Sequence, residues 1–194
     1  MHTVDKFIRE RKSVYPRFFT DEPVEERLIW EILESANWAP THRMTEPWRF
    51  IVMQGSKLEE LGDFLAAAYK ANTPEKKFKQ RKYKDKKKKA AQSAAVIAIV
   101  MRRDPKESVP EWEELAAVSA AVQNMWISAH AHGLGGYWSS PSAIIGRPEV
   151  LPIDEDEYCY GIFYLGRHNM PDVPRERGDI REKVRWMKEK TMSP

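Results

Sequence analysis

Hydrophobic and polar positions change their period several times along the chain, and each change marks an element. Val4, Phe7 and Ile8 make a short helical stripe ahead of Arg9, Arg11 and Lys12, which predicts a first helix ending near Ser13. Thr20-Asp21-Glu22-Pro23 has the composition of a helix start, with acids in the first turn and proline near its first position. Leu28, Ile32, Leu33 and Ala36 would face inward from that helix, which should stop before Pro40. Trp48-Arg49-Phe50-Ile51-Val52-Met53 alternates as a strand does. Ser56-Lys57-Leu58-Glu59 has capping-box spacing and predicts a third helix carrying Leu58, Leu61, Phe64, Leu65 and Tyr69.

Residues 94–101, AAVIAIVM, are a continuous apolar run of strand length, suited to the middle of a sheet covered on both faces. Ser108-Val109-Pro110-Glu111 repeats the capping-box spacing and predicts the longest helix, running through Trp112, Leu115, Val118, Val122, Met125, Trp126 and Ala129. Gly133, Gly135 and Gly136 would end it in a tight turn. A short strand over residues 136–140 and a buried one over 159–165 follow, the latter stopped by Gly166. Ile180, Val184 and Met187 suggest a weak amphipathic helix over 179–190. Strands alternating with helices, without repeats or a Pro/Gly/Ser linker, indicate one α+β or α/β domain over residues 1–194, built on a core sheet.

Composition narrows the chemistry. The chain has 194 residues, enough for a core that needs no covalent staple, and its single cysteine, Cys159, excludes an intramolecular disulfide. That lone thiol and an N-terminus without an apolar signal core give a cytoplasmic expectation, and no run approaches the roughly 18 apolar residues of a membrane span. The net charge of +3 is misleading: residues 76–89 hold nine lysines and one arginine against Asp85, which leaves the rest of the chain at −6. This lysine-rich insert, with only Phe78 and Tyr83 among its charges, reads as a solvated, mobile helix or loop rather than a nucleic-acid platform.

Individual side chains separate into weak and stronger candidates. His130 and His132, two apart on a helix, diverge by about 200° and make no metal pair. Cys159 in an apolar strand is an inert small hydrophobe. Serine-hydrolase elbows, Walker loops and strand-borne glycine fingerprints are absent from the sequence. Arg11-Lys12-Ser13 joins two cations and a hydroxyl at a helix end, chemistry suited to a phosphate dianion or to a simple cap. Ala39-Pro40-Thr41-His42-Arg43-Met44-Thr45-Glu46-Pro47-Trp48 is a polar loop fenced by prolines, able to address a planar heterocycle or to serve as a rigid connector.

Together these two motifs resemble the FMN-dependent nitroreductase family, in which a basic pair and serine follow the first helix and an Ala-Pro loop ending in Pro-Trp enters the first strand. The likeness continues through residues 121–140 and 161–166, is strongest to compact bacterial members, and leaves the lysine insert unaccounted for. It implies an α/β/α sandwich with a mixed or antiparallel sheet, and a homodimer with FMN at its interface. The implied activity is a two-step electron shuttle from NAD(P)H through the flavin to a nitro, quinone or other organic acceptor. No side-chain nucleophile is implied, because flavin N5 performs the chemistry.

By the same resemblance Arg11, Lys12 and Ser13 would hold the FMN phosphate, with Arg177 and its neighbour Arg175 supporting it. His42 would reach the partner's flavin, and Trp138, Ser139 and Ser140 would line the isoalloxazine, with a backbone N–H near Ser140 facing N5. The chain departs from the family at Tyr15, where many members carry a cation that Arg17 would replace, at Trp38, and at Glu46 in place of glutamine. Two rival readings are a nucleic-acid-binding protein acting through residues 76–89, and a protein that keeps FMN without turnover.

Overall fold

The computed structural model describes residues 2–173 and 175–187. Among these residues five α-helices, α1 (Thr3–Glu10), α2 (Glu26–Asn37), α3 (Ser56–Ala71), α4 (Gln80–Ala91) and α5 (Glu111–Ala131), surround four strands, β1 (Trp48–Met53), β2 (Ala95–Arg102), β3 (Leu134–Ser139) and β4 (Glu157–Arg167). The strands form one antiparallel sheet in the order β1-β2-β4-β3. Apolar residues on both faces of β2 and β4 are what put these strands at the centre. Ala95, Ile97, Ile99 and Met101 of β2 pack with Ile32, Val118, Val122 and Met125 of α2 and α5, while Val96, Ala98 and Val100 pack with Leu58, Leu61 and Leu65 of α3.

The sheet edge beside β3 positions the first candidate motif. Ser13 bridges Gly136 in parallel, and the Val14 amide donates to the Gly136 carbonyl at 2.9 Å, so the segment after α1 lies along β3. That approach requires glycine. A Cβ on Gly136 would lie 2.2 Å from Phe163 Cζ, and one on Gly135 would lie 2.8 Å from Val14 Cβ. Only Gly133, at φ +72°, supplies the left-handed turn after α5; Gly135 and Gly136 belong to the strand and not to a helix cap.

Several local expectations are corrected by tertiary contacts. The second helix begins at Glu26, not near Pro23, because Phe19 and Thr20 run extended along the end of β4: Phe19 bridges His168, the Thr20 amide donates to the Arg167 carbonyl and the Asn169 amide to the Phe18 carbonyl. Both capping boxes are unused. Gly55, at φ +57°, caps α3, and Pro110 caps α5, while the Ser108 hydroxyl instead bonds the Asp104 carboxylate. Gly166 does not stop its strand; it pairs with Gly135 and leaves room for the Phe19 ring, which would lie 2.9 Å from a Cβ there. The tail forms one 3-10 turn, Ile180–Lys183, with Val184 to Met187 exposed, and the rest of the expected helix lies outside the described residues.

The lysine-rich segment is a folded part of the sandwich. Gly62 lets the α4 backbone come close, since a Cβ there would stand 2.5 Å from the Lys87 carbonyl oxygen. Lys87 Nζ lies 2.5 Å from Asp63 Oδ1, and Tyr69 stacks on Phe78 with centroids 5.6 Å apart. The outer lysines are solvated, as expected. The segment's inner side is docked on α3, because Ala90 is fully buried and Gly62 offers a groove.

Candidate flavin site

Arg11 leaves α1 at its C-cap and turns inward, placing its guanidinium over the Trp126 indole of α5, 4.4 Å from the ring centroid. Its Nε and Nη1 are buried and have no hydrogen-bond partner among the described residues. Burial lowers the Arg11 pKa, and the nearby Arg175 and Arg177 lower it further. Guanidinium stays protonated nonetheless, so the molecule holds a half-buried cation with two buried donor groups left open. Orphaned donors beside like charges are costly unless an anion completes them.

Lys12 and Ser13 contribute differently. Lys12 Nζ, on a side chain only 11% exposed, donates to Asp172 Oδ1 at 2.8 Å and to the Pro171 carbonyl at 3.2 Å. It therefore ties the C-terminal segment to α1 and is already partnered. The Ser13 carbonyl accepts from Arg175 Nη2 at 3.4 Å, which brings Arg175 alongside the motif. Arg177 is exposed and donates to the Glu176 carbonyl at 3.3 Å. His130 and His168 border the group. Burial, then neighbouring cations including Lys12, lower the His168 pKa; burial is likewise the main cause for His130.

Trp138 and Ser139 occupy the outer end of β3, half-buried, with Ser140 exposed just beyond it. Gly161 makes this arrangement possible. At φ +136° it follows an irregularity between the Ile99 and Val100 pairings, and a Cβ there would stand 2.6 Å from Trp138 Nε1 and 2.7 Å from the Ser139 carbonyl oxygen. Tyr137, on the opposite face, packs against Tyr15 with centroids 4.6 Å apart, and Arg17 lies over Tyr15 and Phe18 at 5.8 and 4.8 Å.

His42 belongs to a separate cleft of this protomer. Its Nδ1 lies 2.6 Å from Glu113 Oε2, and Pro40, Thr41, Trp112 and Ala117 complete a cavity of about 430 Å³. The loop around it is conformationally unusual, with Arg43, Met44 and Glu46 at φ 54°, 54° and 43°. Residues other than glycine rarely adopt such angles, and clusters of them mark loops held for a purpose. Thr41 Oγ1 helps to hold the loop by accepting from the Glu46 amide at 3.2 Å. Trp38 projects outward, 80% exposed, and donates from Nε1 to Glu34 at 3.0 Å.

Sequence reasoning passed over Trp126, Glu113 and Asp172 as site residues. Trp126 carried only a core-periodicity signal, and the other two become visible only when distant segments meet. Among the described residues, no group of three or more His, Cys, Asp or Glu side chains could hold a metal ion.

The model of the Nitroreductase family matches residues 8–167, and the chain belongs to that family. It is 28% identical over 184 residues to the Bacillus subtilis protein named "Putative NAD(P)H nitroreductase YfhC", covering 93% of this chain and 92% of that one. The crystal structure of a nitroreductase-like family protein from Bacillus cereus superposes with a TM-score of 0.76 at 27% identity, covering 96% of this chain and 97% of that chain. A Desulfovibrio desulfuricans relative, described as a "putative nitroreductase in complex with FMN", gives a TM-score of 0.71 at 25% identity, with 97% and 98% covered. No described helix is long and apolar enough to cross a membrane.

Proposed function

We propose that this chain is a single-domain, FMN-dependent oxidoreductase that accepts a hydride from NAD(P)H and passes electrons to a nitro, quinone or other organic acceptor. The observation that carries the assignment is the Arg11 guanidinium, stacked on Trp126 with Nε and Nη1 open and Arg175 and Arg177 close by. These donors suit a phosphate dianion, which would give Arg11 the charge-assisted bonds it lacks. Ser13 adds a hydroxyl, while Lys12 contributes charge and fastens the C-terminal segment through Asp172. FMN, when bound, supplies reversible hydride and electron transfer at its isoalloxazine, and the protein supplies orientation and electrostatics.

Trp138, Ser139 and Ser140 would lie along the isoalloxazine, with the backbone N–H near Ser140 offered to N5. His42 would serve the flavin of a second subunit, with Glu113 fixing the orientation of its ring. A homodimer is supported by apolar surface that the protomer leaves uncovered: Val4 and Ile8 on α1, Trp30 on α2, and Trp112 on α5 are 65%, 46%, 64% and 68% exposed. Sedimentation at micromolar concentration is expected to give twice the chain mass.

The deciding experiment is spectroscopic. Purified protein is expected to carry, or to gain on incubation with FMN, a bound-flavin absorbance that NADH or NADPH bleaches under anaerobic conditions. Colourless protein that takes up no FMN would overturn the assignment. Bound flavin that neither nucleotide reduces would make the chain a non-catalytic FMN carrier.

A further inference from the structure

The three carboxylates in the first turn of α5 are not equivalent. Glu114 is buried and accepts from Arg103 Nη1 at 2.6 Å, and Glu111 accepts from the Tyr160 hydroxyl at 3.4 Å. Glu113 is the one that faces His42, with Oε2 2.6 Å from Nδ1. An ionised carboxylate only accepts, so Nδ1 carries a hydrogen and Nε2 is the ring atom left for a ligand. The loop is braced around this ring. Arg43, Met44 and Glu46 hold positive φ, Arg49 Nη1 donates to the Glu46 carbonyl at 2.9 Å, and the Thr41 and Thr45 hydroxyls lie 3.2 Å apart. Such angles persist where neighbouring contacts over-determine them.

The cleft at the His42–Glu113 pair is otherwise mostly apolar. Pro40, Trp112, Ala117 and Ala120 wall it, no lysine or arginine is among the described residues that line it, and His42 and Glu113 are its titratable groups. Arg43 and Glu46, the other charges on the loop itself, are exposed. A volume of about 430 Å³ lies within the roughly 300–1,000 Å³ range of small-molecule sites. An indole wall, few charges and one oriented imidazole suit an uncharged aromatic ring bearing an acceptor oxygen, and they suit a polyanion poorly.

Hydride transfer leaves an acceptor of that kind one proton short. A quinone that takes a hydride becomes a hydroquinone monoanion, and a nitroarene that takes one needs a further proton to release water and form the nitroso compound. We infer that His42 supplies this proton to an uncharged aromatic acceptor held in the cleft. The Nε2–H bond breaks as the acceptor's O–H bond forms, and water reprotonates the ring, whose side chain is 57% exposed. Glu113 acts through His42, as a positioning residue. The inference rests on the oxidoreductase reading, which takes His42 to the second subunit's flavin, and adds the class of acceptor and the source of its proton.

The test uses full-length, FMN-saturated protein reduced anaerobically by NADH or NADPH. Stopped flow then follows reoxidation by menadione, a quinone, and by ferricyanide, which takes one electron and no proton. With menadione the wild-type rate is expected to fall as pH rises, along a single ionisation. His42→Gln should lose that dependence and slow at least about tenfold more with menadione than with ferricyanide, since a general acid contributes about 100- to 10,000-fold. Glu113→Ala should show a smaller loss, partly restored in Glu113→Gln, whose amide oxygen still accepts from Nδ1. Benzoate, with a carboxylate shaped like a nitro group, reports the same contact without turnover. Its affinity by calorimetry should fall as pH rises and weaken about tenfold in His42→Gln, as loss of one charge-assisted hydrogen bond does.

A menadione-to-ferricyanide ratio equal in wild type and His42→Gln, a pH profile that survives the substitution, or benzoate affinity alike in the two proteins would overturn the proton donor and leave the flavin enzyme standing. Should His42→Gln lose its FMN or its fold by circular dichroism, the Glu113 variants make the same comparison, and equal ratios in wild type and Glu113→Ala would sink the inference. Wild-type protein that takes up no FMN would end the oxidoreductase reading and this inference with it.

Discussion

Two cationic regions of this molecule look alike in composition and differ in physics. Around Arg11 there are few charges, but the central one is buried against Trp126 with its donors open, on a segment braced by β3 and α5. Along α4 there are many charges, and most reach solvent or an acid, as Lys87 does at Asp63. Charge density therefore does not locate the stronger anion site. A solvated lysine gains little from a phosphate beyond what water gives it, whereas an arginine with two donors already taken out of water recovers the bonds they lost. The inner face of α4 is intermediate, half-buried at Lys86 and Lys89.

The comparison can be broken most directly at Arg11. Arg11→Ala is expected to weaken FMN binding by about 10- to 100-fold, measured by quenching of flavin fluorescence, whereas Lys84→Ala on α4 should leave it unchanged. Equal losses in the two variants would show that bulk charge, not burial, holds the cofactor. Gly136→Ala comes next. Its new Cβ meets Phe163, a fully buried ring with little freedom to move, so stability should fall by about 1–3 kcal/mol in denaturant unfolding, with FMN affinity falling as the Ser13 bridge is displaced.

Trp126→Leu keeps an apolar side chain but removes the aromatic face under Arg11. Cation–π contacts contribute about 0.5–2 kcal/mol, so FMN affinity should drop several-fold, less than for the loss of the guanidinium itself. An affinity matching wild type would mean that Arg11 needs no such platform. The smallest effect concerns pH. His130 and His168 have pKa values lowered below 6.5 in the fold, so the unfolded chain takes up protons first and stability falls as pH drops through that value. The His168 Nδ1 accepts from the Met170 amide, which favours the neutral ring. His168→Asn retains an acceptor there and should flatten the dependence of Tm on pH below about 6.5; an unchanged slope would show that the titration lies elsewhere.

Much of the architecture was legible because its determinants are local. The apolar run of β2 marked a doubly covered strand, and the stripe from Trp112 to Ala129 marked α5. The misplaced start of α2 and the unused capping box at Ser108 share one cause. Thr20 and Ser108 carry groups that serve a helix cap, but they occupy chain already committed elsewhere, Thr20 along β4 and Ser108 on Asp104. A capping residue stabilises a helix by about 1 kcal/mol, less than several backbone hydrogen bonds and buried side chains together. Gly135, Gly136 and Gly166 were similarly ambiguous, since glycine marks both a turn and a close approach, and only the neighbours at Val14, Phe163 and Phe19 distinguish the two.

By itself, the sequence determined the class of fold, the two motifs that carry the family likeness, and the concentration of positive charge in residues 76–89. Those properties reside in residue type and spacing, which no folding is needed to read. Tertiary structure decided which cations are left without partners. Lys12, read as an equal of Arg11, is engaged by Asp172 from 160 residues away, while Arg11 meets Trp126 and its Nε and Nη1 find no acceptor among the described residues. It also decided that the lysines of α4 divide between an outer solvated side and an inner side facing a cavity. Burial and pairing depend on residues far apart in the chain, and these set how much an anion gains by binding.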